Sequence, residues 1–133
     1  MDVPQNQIIN AFPEDYDLIQ SAKALSPGMG RDSVRKGGKV LLVAACPDGI
    51  GYHALYGPTG QGYKRIMTRR RSWLQHLEVI IFSTGIGPTE VWDVFPNPVK
   101  IFRNAEEVLH DLAGDIPFAK VNVFPYGGIS ILN

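Results

Sequence analysis

The sequence has little of several features that define common classes of protein, and each absence excludes one of those classes. Its 133 residues include one cysteine, Cys46, so no disulfide can form within the chain and a reducing compartment is expected. No run approaches the roughly 20 apolar residues that cross a membrane, and the polar amino terminus has no signal-peptide pattern. We therefore expect a soluble, cytoplasmic protein with no membrane partner.

Neither sign of charge is in excess, because 13 lysine and arginine residues balance 13 aspartate and glutamate residues. Residues 64–71 hold five of the positive charges, close to Tyr63 and Trp73, and such a combination is found in nucleic-acid binders. A solvated helix face explains the same run, and the neutral overall charge favours that explanation. We expect no nucleic-acid partner.

Several catalytic and cofactor-binding signatures are also missing. His53, His76 and His110 lie far apart, with no pair at metal-ligand spacing, and Cys46 has no second cysteine with which to form a dithiol. There is no P-loop, no G-x-S-x-G elbow and no G-x-G-x-x-G fingerprint. The sequence therefore assigns neither a catalytic residue nor a metal ligand to this chain.

The chain does contain short β-type runs that alternate with helix-type segments, a pattern typical of an α/β fold. The middle runs are apolar throughout, as strands covered on both faces should be. We predict one domain, residues 1–133, built as a three-layer αβα sandwich with a mostly parallel sheet. The predicted strands are residues 7–11, 40–44, 79–83, 99–102, 120–124 and, as an antiparallel edge, 129–132.

Four helical segments are predicted between these strands. Residues 15–25 and 104–113 carry apolar side chains at the spacing of one helical face. A serine-proline start and a glycine-glycine end predict a helix within 26–38, and residues 63–74 contain another. The side chains expected to face the sheet are Leu18, Ala22, Leu25, Ala105, Val108, Leu109 and Leu112.

Gln20 and Lys23 form the first candidate binding site. They are three residues apart on the first predicted helix, so both project from the face opposite Leu18 and Ala22. A lysine there can neutralise a carboxylate, and a glutamine can orient it by hydrogen bonding. From spacing alone, an ordinary exposed helix face is the commoner explanation.

Two glycine-containing loops that follow predicted strands form the second candidate site. One contains Asp48, Gly49 and Gly51, and the other contains Thr84 and Gly85. Glycines after a strand let backbone amides point at an anion, and ligands of open α/β sheets bind beyond the carboxyl ends of strands. The loops line one crevice if their strands are neighbours. Tight turns with a capping aspartate explain the same residues equally well.

Three ordered segments resemble the lactate racemase family. Residues 10–23 are similar to the family's signature, and two later segments are similar to its next strand and loop and to its last strand and turn. The matching positions are Pro13, Asp15, Gln20 and Lys23, then residues 36–45, 48–51 and 119–128. The resemblance covers nearly the whole chain and corresponds to the family's carboxy-terminal domain alone.

The resemblance implies a 2-hydroxy acid racemase or epimerase, an isomerase whose amino-terminal domain carries a nickel-pincer nucleotide. By that resemblance, Lys23 would pair with the substrate carboxylate and Gln20 would fix its orientation. The implied partners are a small 2-hydroxy acid and the amino-terminal nickel-binding domain, which this chain is expected to lack. We therefore expect the chain alone to hold no cofactor and to be inactive.

The sequence departs from the family at two points, and two other functions stay open. The residue before the glutamine, often tyrosine in the family, is Ile19, and neither Trp73 nor Trp92 matches the family's active-site tryptophan. One alternative is a stand-alone module that binds a small anion through the two loops without catalysis. The other is an interaction domain whose partner covers Tyr16, Ile19 and Trp92. Self-association into a homo-oligomer is expected if a partner surface is left exposed.

Overall fold

The structure is a computed structural model that describes residues 6–25, 34–51, 76–95, 99–114 and 120–127. Its strands are β1 (Asn6–Asn10), β2 (Lys39–Val43), β3 (Glu78–Phe82), β4 (Lys100–Phe102) and β5 (Val121–Phe124). Its helices are α1 (Leu18–Ser21), which continues into a 3-10 helix (Ala22–Leu25), then α2 (Pro88–Val94) and α3 (Ala105–Ala113). None of these helices is long and apolar enough to cross a bilayer. Four predicted features lie outside the described residues. They are the strand 129–132, the helix within 63–74, the start of the helix at Ser26 and the basic run of residues 64–71.

The five strands form one sheet in the order β4-β3-β2-β1-β5, and every pairing between described strands is parallel. In the centre, Ile9 of β1 lies beside Leu42 of β2 and Phe124 of β5. The predicted three-layer α/β architecture is confirmed. Each of these five strands was also predicted to within one residue at either end. The continuous apolar runs of β2 and β3 mark strands buried on both faces.

Side chains alternate between two apolar layers, since successive residues of a strand point to opposite faces. On one face, Ile9, Leu42 and Ile81 pack in the layer that includes Leu18 of α1 and Val91 of α2. On the other face, Leu41 and Ile80 pack against Val108 and Leu112 of α3. The chain moves in one direction from β1 to β4 and then returns past β1 to β5. Right-handed crossovers place that returning connection, with α3, on the opposite face.

Two helical predictions need correction. The first helix begins at Leu18 instead of residue 15, because Asp17 is its N-cap and its Oδ1 accepts a hydrogen bond from the Gln20 amide at 2.7 Å. In α3, Val108 and Leu112 are buried as predicted, but Leu109 is 54% exposed and Ala105 is exposed too. Leu109 is one residue, or about 100°, beyond Val108 on the helix. It therefore lies on the flank of α3 and not against the sheet.

An ion-pair network joins α3 to the amino ends of the strands. Lys100 Nζ lies 2.9 Å from Glu78 Oε1 and 3.1 Å from Asp111 Oδ1. Lys39 Nζ lies 3.7 Å from Asp111 Oδ2 and 3.9 Å from Glu78 Oε2, and it also donates to the Asp111 carbonyl. Hydrogen bonds that the Lys100 ammonium donates to the carboxylates of Glu78 and Asp111 raise its pKa. The network therefore stabilises the amino ends of β2, β3 and β4, at the opposite end of the sheet from the candidate site.

Candidate functional site

The order of the strands places a topological switch point at the carboxyl ends of β1 and β5, and we refer to the space outside these strand ends as the switch-point crevice. These strands are neighbours, yet the chain goes from β1 to β2 on one side and reaches β5 on the other side. Ligands of open parallel sheets bind outside the carboxyl ends of the strands at such a switch point. The bordering segments are residues 11–17, after β1, and residues 125–127, after β5.

Asn10, the last residue of β1, holds both of these segments. Its side-chain Oδ1 accepts a hydrogen bond from the Phe12 amide at 3.1 Å, and its backbone carbonyl accepts one from the Gly127 amide at 2.7 Å. The rings of Phe12 and Tyr126 consequently lie together, with centroids 6.1 Å apart and planes tilted by 53°. Phe12 is 49% exposed and Tyr126 is 53% exposed, so the pair is open to solvent.

The turn after β5 also packs against the 3-10 helix. A Cβ at Gly127 would overlap Ile9 Cγ2 and would lie 2.9 Å from the Asn10 carbonyl oxygen and 3.6 Å from Ala24 Cβ. Only a residue without a side chain fits this close approach. The 3-10 helix, which contains Lys23, is therefore beside the switch-point crevice.

Gln20 and Lys23 occupy neighbouring turns at this place. Gln20 belongs to α1 and Lys23 to the 3-10 helix, and residues three apart project on the same side in either type of helix. Both are half-buried, whereas Ile19, Ser21 and Ala22 between and before them are buried. Among the described residues, no carboxylate pairs with Lys23. Whether the pair binds substrate stays a prediction.

The position of α1 is fixed by the loop after β2. The Leu18 amide donates to the Gly49 carbonyl at 2.9 Å, and the Ile19 amide donates to the Ile50 carbonyl at 3.2 Å. These bonds satisfy two of the amides that a helix leaves unpaired at its start. The Asp17 carboxylate satisfies the Gln20 amide, and the Ser21 hydroxyl donates to the Asp17 carbonyl at 2.7 Å. The binding pair is thus carried by a short helix that is anchored at its first turn.

The loop that contains Asp48, Gly49 and Gly51 uses its amides inside the protein. The Asp48 amide donates to the Tyr16 carbonyl at 2.9 Å, and the Gly49 amide donates to the Cys46 carbonyl at 3.0 Å. Gly51 has φ +84°, and a Cβ there would overlap the Asp17 carboxylate. These contacts give the loop a supporting role. Anion binding at this loop stays a prediction, and the Asp48 and Gly49 amides are already occupied.

The loop that contains Thr84 and Gly85 lies directly against the preceding one, because β2 and β3 are neighbours. The Ser83 hydroxyl donates to the Ala45 carbonyl at 3.3 Å and accepts from the Gly85 amide at 3.2 Å. A Cβ at Gly85 would overlap the Ala45 and Cys46 carbonyls. The two loops thus meet backbone to backbone at Gly85, while Thr84 is exposed. A role for Thr84 and Gly85 in anion binding also stays a prediction.

Cys46 lies where α1 and these two loops converge. It is fully buried with φ +49°, and its Sγ lies 3.8 Å from the Ser21 hydroxyl oxygen. Burial raises the pKa of the thiol, and hydrogen bonds from Ser21 and Ser83 only partly oppose that rise. Cys46 is therefore a neutral packing residue at neutral pH.

Sequence reasoning missed Asn10 and the two aromatic residues as members of the site. The available signals were a polar residue at the end of an apolar strand and an aromatic residue before the glycine that follows the last strand. Neither signal says that β1 and β5 are neighbours. Only the strand order brings Phe12 to Tyr126.

The described residues do not form a metal site. No group of three histidine, cysteine, aspartate or glutamate side chains among them could hold an ion. His76 precedes β3 at the amino edge of the sheet, and His110 is exposed on α3. A nickel-pincer nucleotide therefore finds no ligand set in this part of the chain.

The surface proposed for an interaction partner is only partly exposed. Tyr16 is 65% exposed, but Ile19 is 4% exposed, so a partner cannot cover Ile19 and this expectation was wrong. Ile19 is the second residue of α1 and is buried within the chain itself. The side chain of Trp92 and all of Trp73 lie outside the described residues.

Together, these observations define a parallel α/β sandwich whose strand-order switch is bordered by Phe12 and Tyr126 and lies beside the 3-10 helix that contains Lys23. No family model matches the sequence, and no curated protein matches it. Among solved structures, the chain is similar to the lactate racemase apoprotein from Thermoanaerobacterium thermosaccharolyticum, with a TM-score of 0.66 and 21% identity. The similarity covers 98% of this chain and 36% of that one, so the chain spans about a third of the racemase. At this identity, the likeness shows a shared fold.

Proposed function

We propose that this chain is the carboxy-terminal, substrate-binding domain of a 2-hydroxy acid racemase or epimerase. The fold shared with the lactate racemase apoprotein and the ordered resemblance of three sequence segments support the proposal. The observation that carries it is the position of Lys23. This lysine is half-buried beside the switch-point crevice, follows Gln20 by three residues, and has no carboxylate partner among the described residues.

A carboxylate is the ligand that such a lysine fits best. A half-buried lysine commonly buries its methylene stem and keeps its ammonium group accessible to a ligand. Such a group can pair with a carboxylate. An incoming 2-hydroxy acid would supply Lys23 with a carboxylate, and no described residue does so.

Gln20 complements Lys23 because an amide can donate and accept hydrogen bonds at once. It can donate to the second carboxylate oxygen or accept from the 2-hydroxyl group, and either bond fixes the orientation of the acid. Binding and orientation lower the barrier of a reaction by holding the reacting carbon in place. In this proposal, neither Gln20 nor Lys23 removes a proton.

The nickel-pincer nucleotide belongs to a separate amino-terminal domain in this proposal. The described residues offer no set of ligands that fits nickel, so we assign no step of the reaction to a metal held by this chain. Its residues bind the acid, orient it and exclude water when the two domains meet. The isolated chain would bind the acid without racemising it.

A titration of the chain with L-lactate, followed by amide chemical shifts in nuclear magnetic resonance, tests the proposal. We expect saturable shifts at Gln20, Lys23 and Gly127, and weaker binding of propionate, which has no hydroxyl group. Lys23→Met should weaken lactate binding by about tenfold. Lys36→Met is the matched control, because Lys36 is exposed and precedes β2 at the opposite edge of the sheet. Shifts that are absent, or identical in wild type and Lys23→Met, would refute the proposal.

A further inference from the structure

Phe12 and Tyr126 form an apolar surface at the mouth of the crevice. Each ring is about half exposed, at 49% and 53%, and their centroids are 6.1 Å apart. A single exposed aromatic residue is ordinary, but two adjacent rings in a crevice expose a continuous apolar surface where ligands bind. Aromatic side chains gain the most when a ligand or a partner removes them from water.

The pair is held in place before any ligand arrives. Asn10 accepts hydrogen bonds from the Phe12 amide through its side chain and from the Gly127 amide through its backbone. Gly127 is next to Tyr126, so one residue at the end of β1 fixes the backbone on both sides of the pair. Surfaces that are already ordered lose less entropy when they bind.

The aromatic pair is also close to the predicted carboxylate site. The turn that carries Tyr126 packs on the 3-10 helix at Ala24, the residue after Lys23. A ligand that reaches both the turn of Tyr126 and the helix of Lys23 would need a carboxylate and a large apolar group. Lactate, whose substituent is a methyl group, would leave the rings uncovered.

We propose that Phe12 and Tyr126 bind the substituent on C2 of the substrate and select 2-hydroxy acids that carry an aryl or large apolar group. This inference rests on the proposed function, because Lys23 and Gln20 fix the carboxylate end of the same molecule. Asn10 is a positioning residue for the pair. The selectivity arises from packing of the substituent on the two rings, and the carboxylate contact is common to all substrates.

Binding of mandelate and of lactate to the chain, measured by the same titration, tests this selectivity. We expect mandelate to bind at least about fivefold more tightly than lactate, as contact between aromatic rings provides. Phe12→Ala and Tyr126→Ala should each reduce this ratio toward one. Asn10→Ala should also lower the ratio, because it removes the acceptor of the Phe12 amide, and an unchanged urea midpoint for each variant shows that the fold is retained.

Leu109→Ala is the control, because Leu109 is an equally exposed apolar residue on α3, away from the crevice. It should leave both affinities unchanged. A wild type that binds the two acids equally, or ring variants that keep the mandelate preference, would overturn the selectivity and leave the proposed function standing. Absence of binding for both acids would overturn the proposed function and the selectivity with it.

Discussion

The carboxylate of Asp17 lies directly against the Cα of Gly51, so closely that no side chain fits between them. Asp17 caps the helix that carries Gln20, and Gly51 lies in the segment that follows β2. The contact therefore joins the loop after β2 to the helix α1 of the candidate site. It predicts that a substitution at Asp17 or at Gly51 will alter the stability of α1.

Gly51→Ala should destabilise the protein more than Gly37→Ala does. The two glycines have almost the same φ, +84° and +81°, but a Cβ at Gly37 would meet nothing within 4 Å. The left-handed conformation costs about 1–2 kcal/mol for either alanine. Overlap with Asp17 adds about 1–3 kcal/mol at Gly51 alone. Urea unfolding of both variants measures the difference, and equal losses would show that the overlap is relieved at no cost.

Asp17→Ala should lower the free energy of unfolding by about 0.5–2 kcal/mol, the usual effect of losing an N-cap. Asp17→Asn should retain most of that stability, because an amide oxygen can still accept from the Gln20 amide. Urea unfolding compares the stability of the two variants. A lactate titration shows whether loss of the N-cap also weakens lactate binding. If Asp17→Asn loses as much stability as Asp17→Ala, then the charge of Asp17 matters more than its hydrogen bond.

Lys39→Met should cost more stability than Lys100→Met, although the two lysines contact the same two carboxylates. The side chain of Lys39 is 24% exposed and that of Lys100 is 53% exposed. An exposed ion pair contributes about 0–1 kcal/mol, whereas a hydrogen bond from a charged group to a carbonyl contributes about 1.5–3 kcal/mol. Thermal unfolding at low and high salt measures both. A larger loss of stability in Lys100→Met than in Lys39→Met, at either salt concentration, would contradict this ranking.

Alkaline pH should destabilise the wild type more than Cys46→Ala. Burial raises the pKa of the folded Cys46 thiol, so the unfolded chain loses its thiol proton at a lower pH than the folded chain. The protonated Cys46 thiol therefore contributes to the free energy of unfolding. This contribution is complete below the ordinary pKa of a thiol, about 8.5, and is lost as pH rises toward the pKa of the folded state. Lys100, whose pKa is also raised, is present in both proteins and its contribution cancels. Urea unfolding at pH 7 and pH 10 makes the comparison, and parallel declines would contradict the role of Cys46.

The sequence predicts the centre of the sheet well because β2 and β3 are continuous apolar runs that are buried along their length. It misplaces the start of α1 because the carbonyls of Asp15 and Tyr16 accept hydrogen bonds from the loop after β2. Those contacts join segments that are distant in the chain, so the periodicity of one segment cannot predict them. The prediction that Leu109 faces the sheet failed for a related reason, since a pattern does not fix how α3 is rotated.

The candidate site was predictable only in part. Spacing alone favoured an ordinary exposed face for Gln20 and Lys23, and the family resemblance selected them. The structure shows both half-buried, and the 3-10 helix that contains Lys23 approaches the turn after β5 at Ala24. Their role in binding stays a prediction. Phe12 and Tyr126 come together only when β5 is placed beside β1, a pairing between opposite ends of the chain.

Pairing between Lys23 and a ligand carboxylate is tested most directly by comparing the affinities of lactate and lactamide for wild type and Lys23→Met. Lactamide keeps the hydroxyl group and the shape of lactate but has no charge. We predict that wild type prefers lactate by about tenfold, equivalent to about 1.4 kcal/mol, and that Lys23→Met removes this preference while binding lactamide unchanged. A preference for lactate that survives in Lys23→Met would contradict the account.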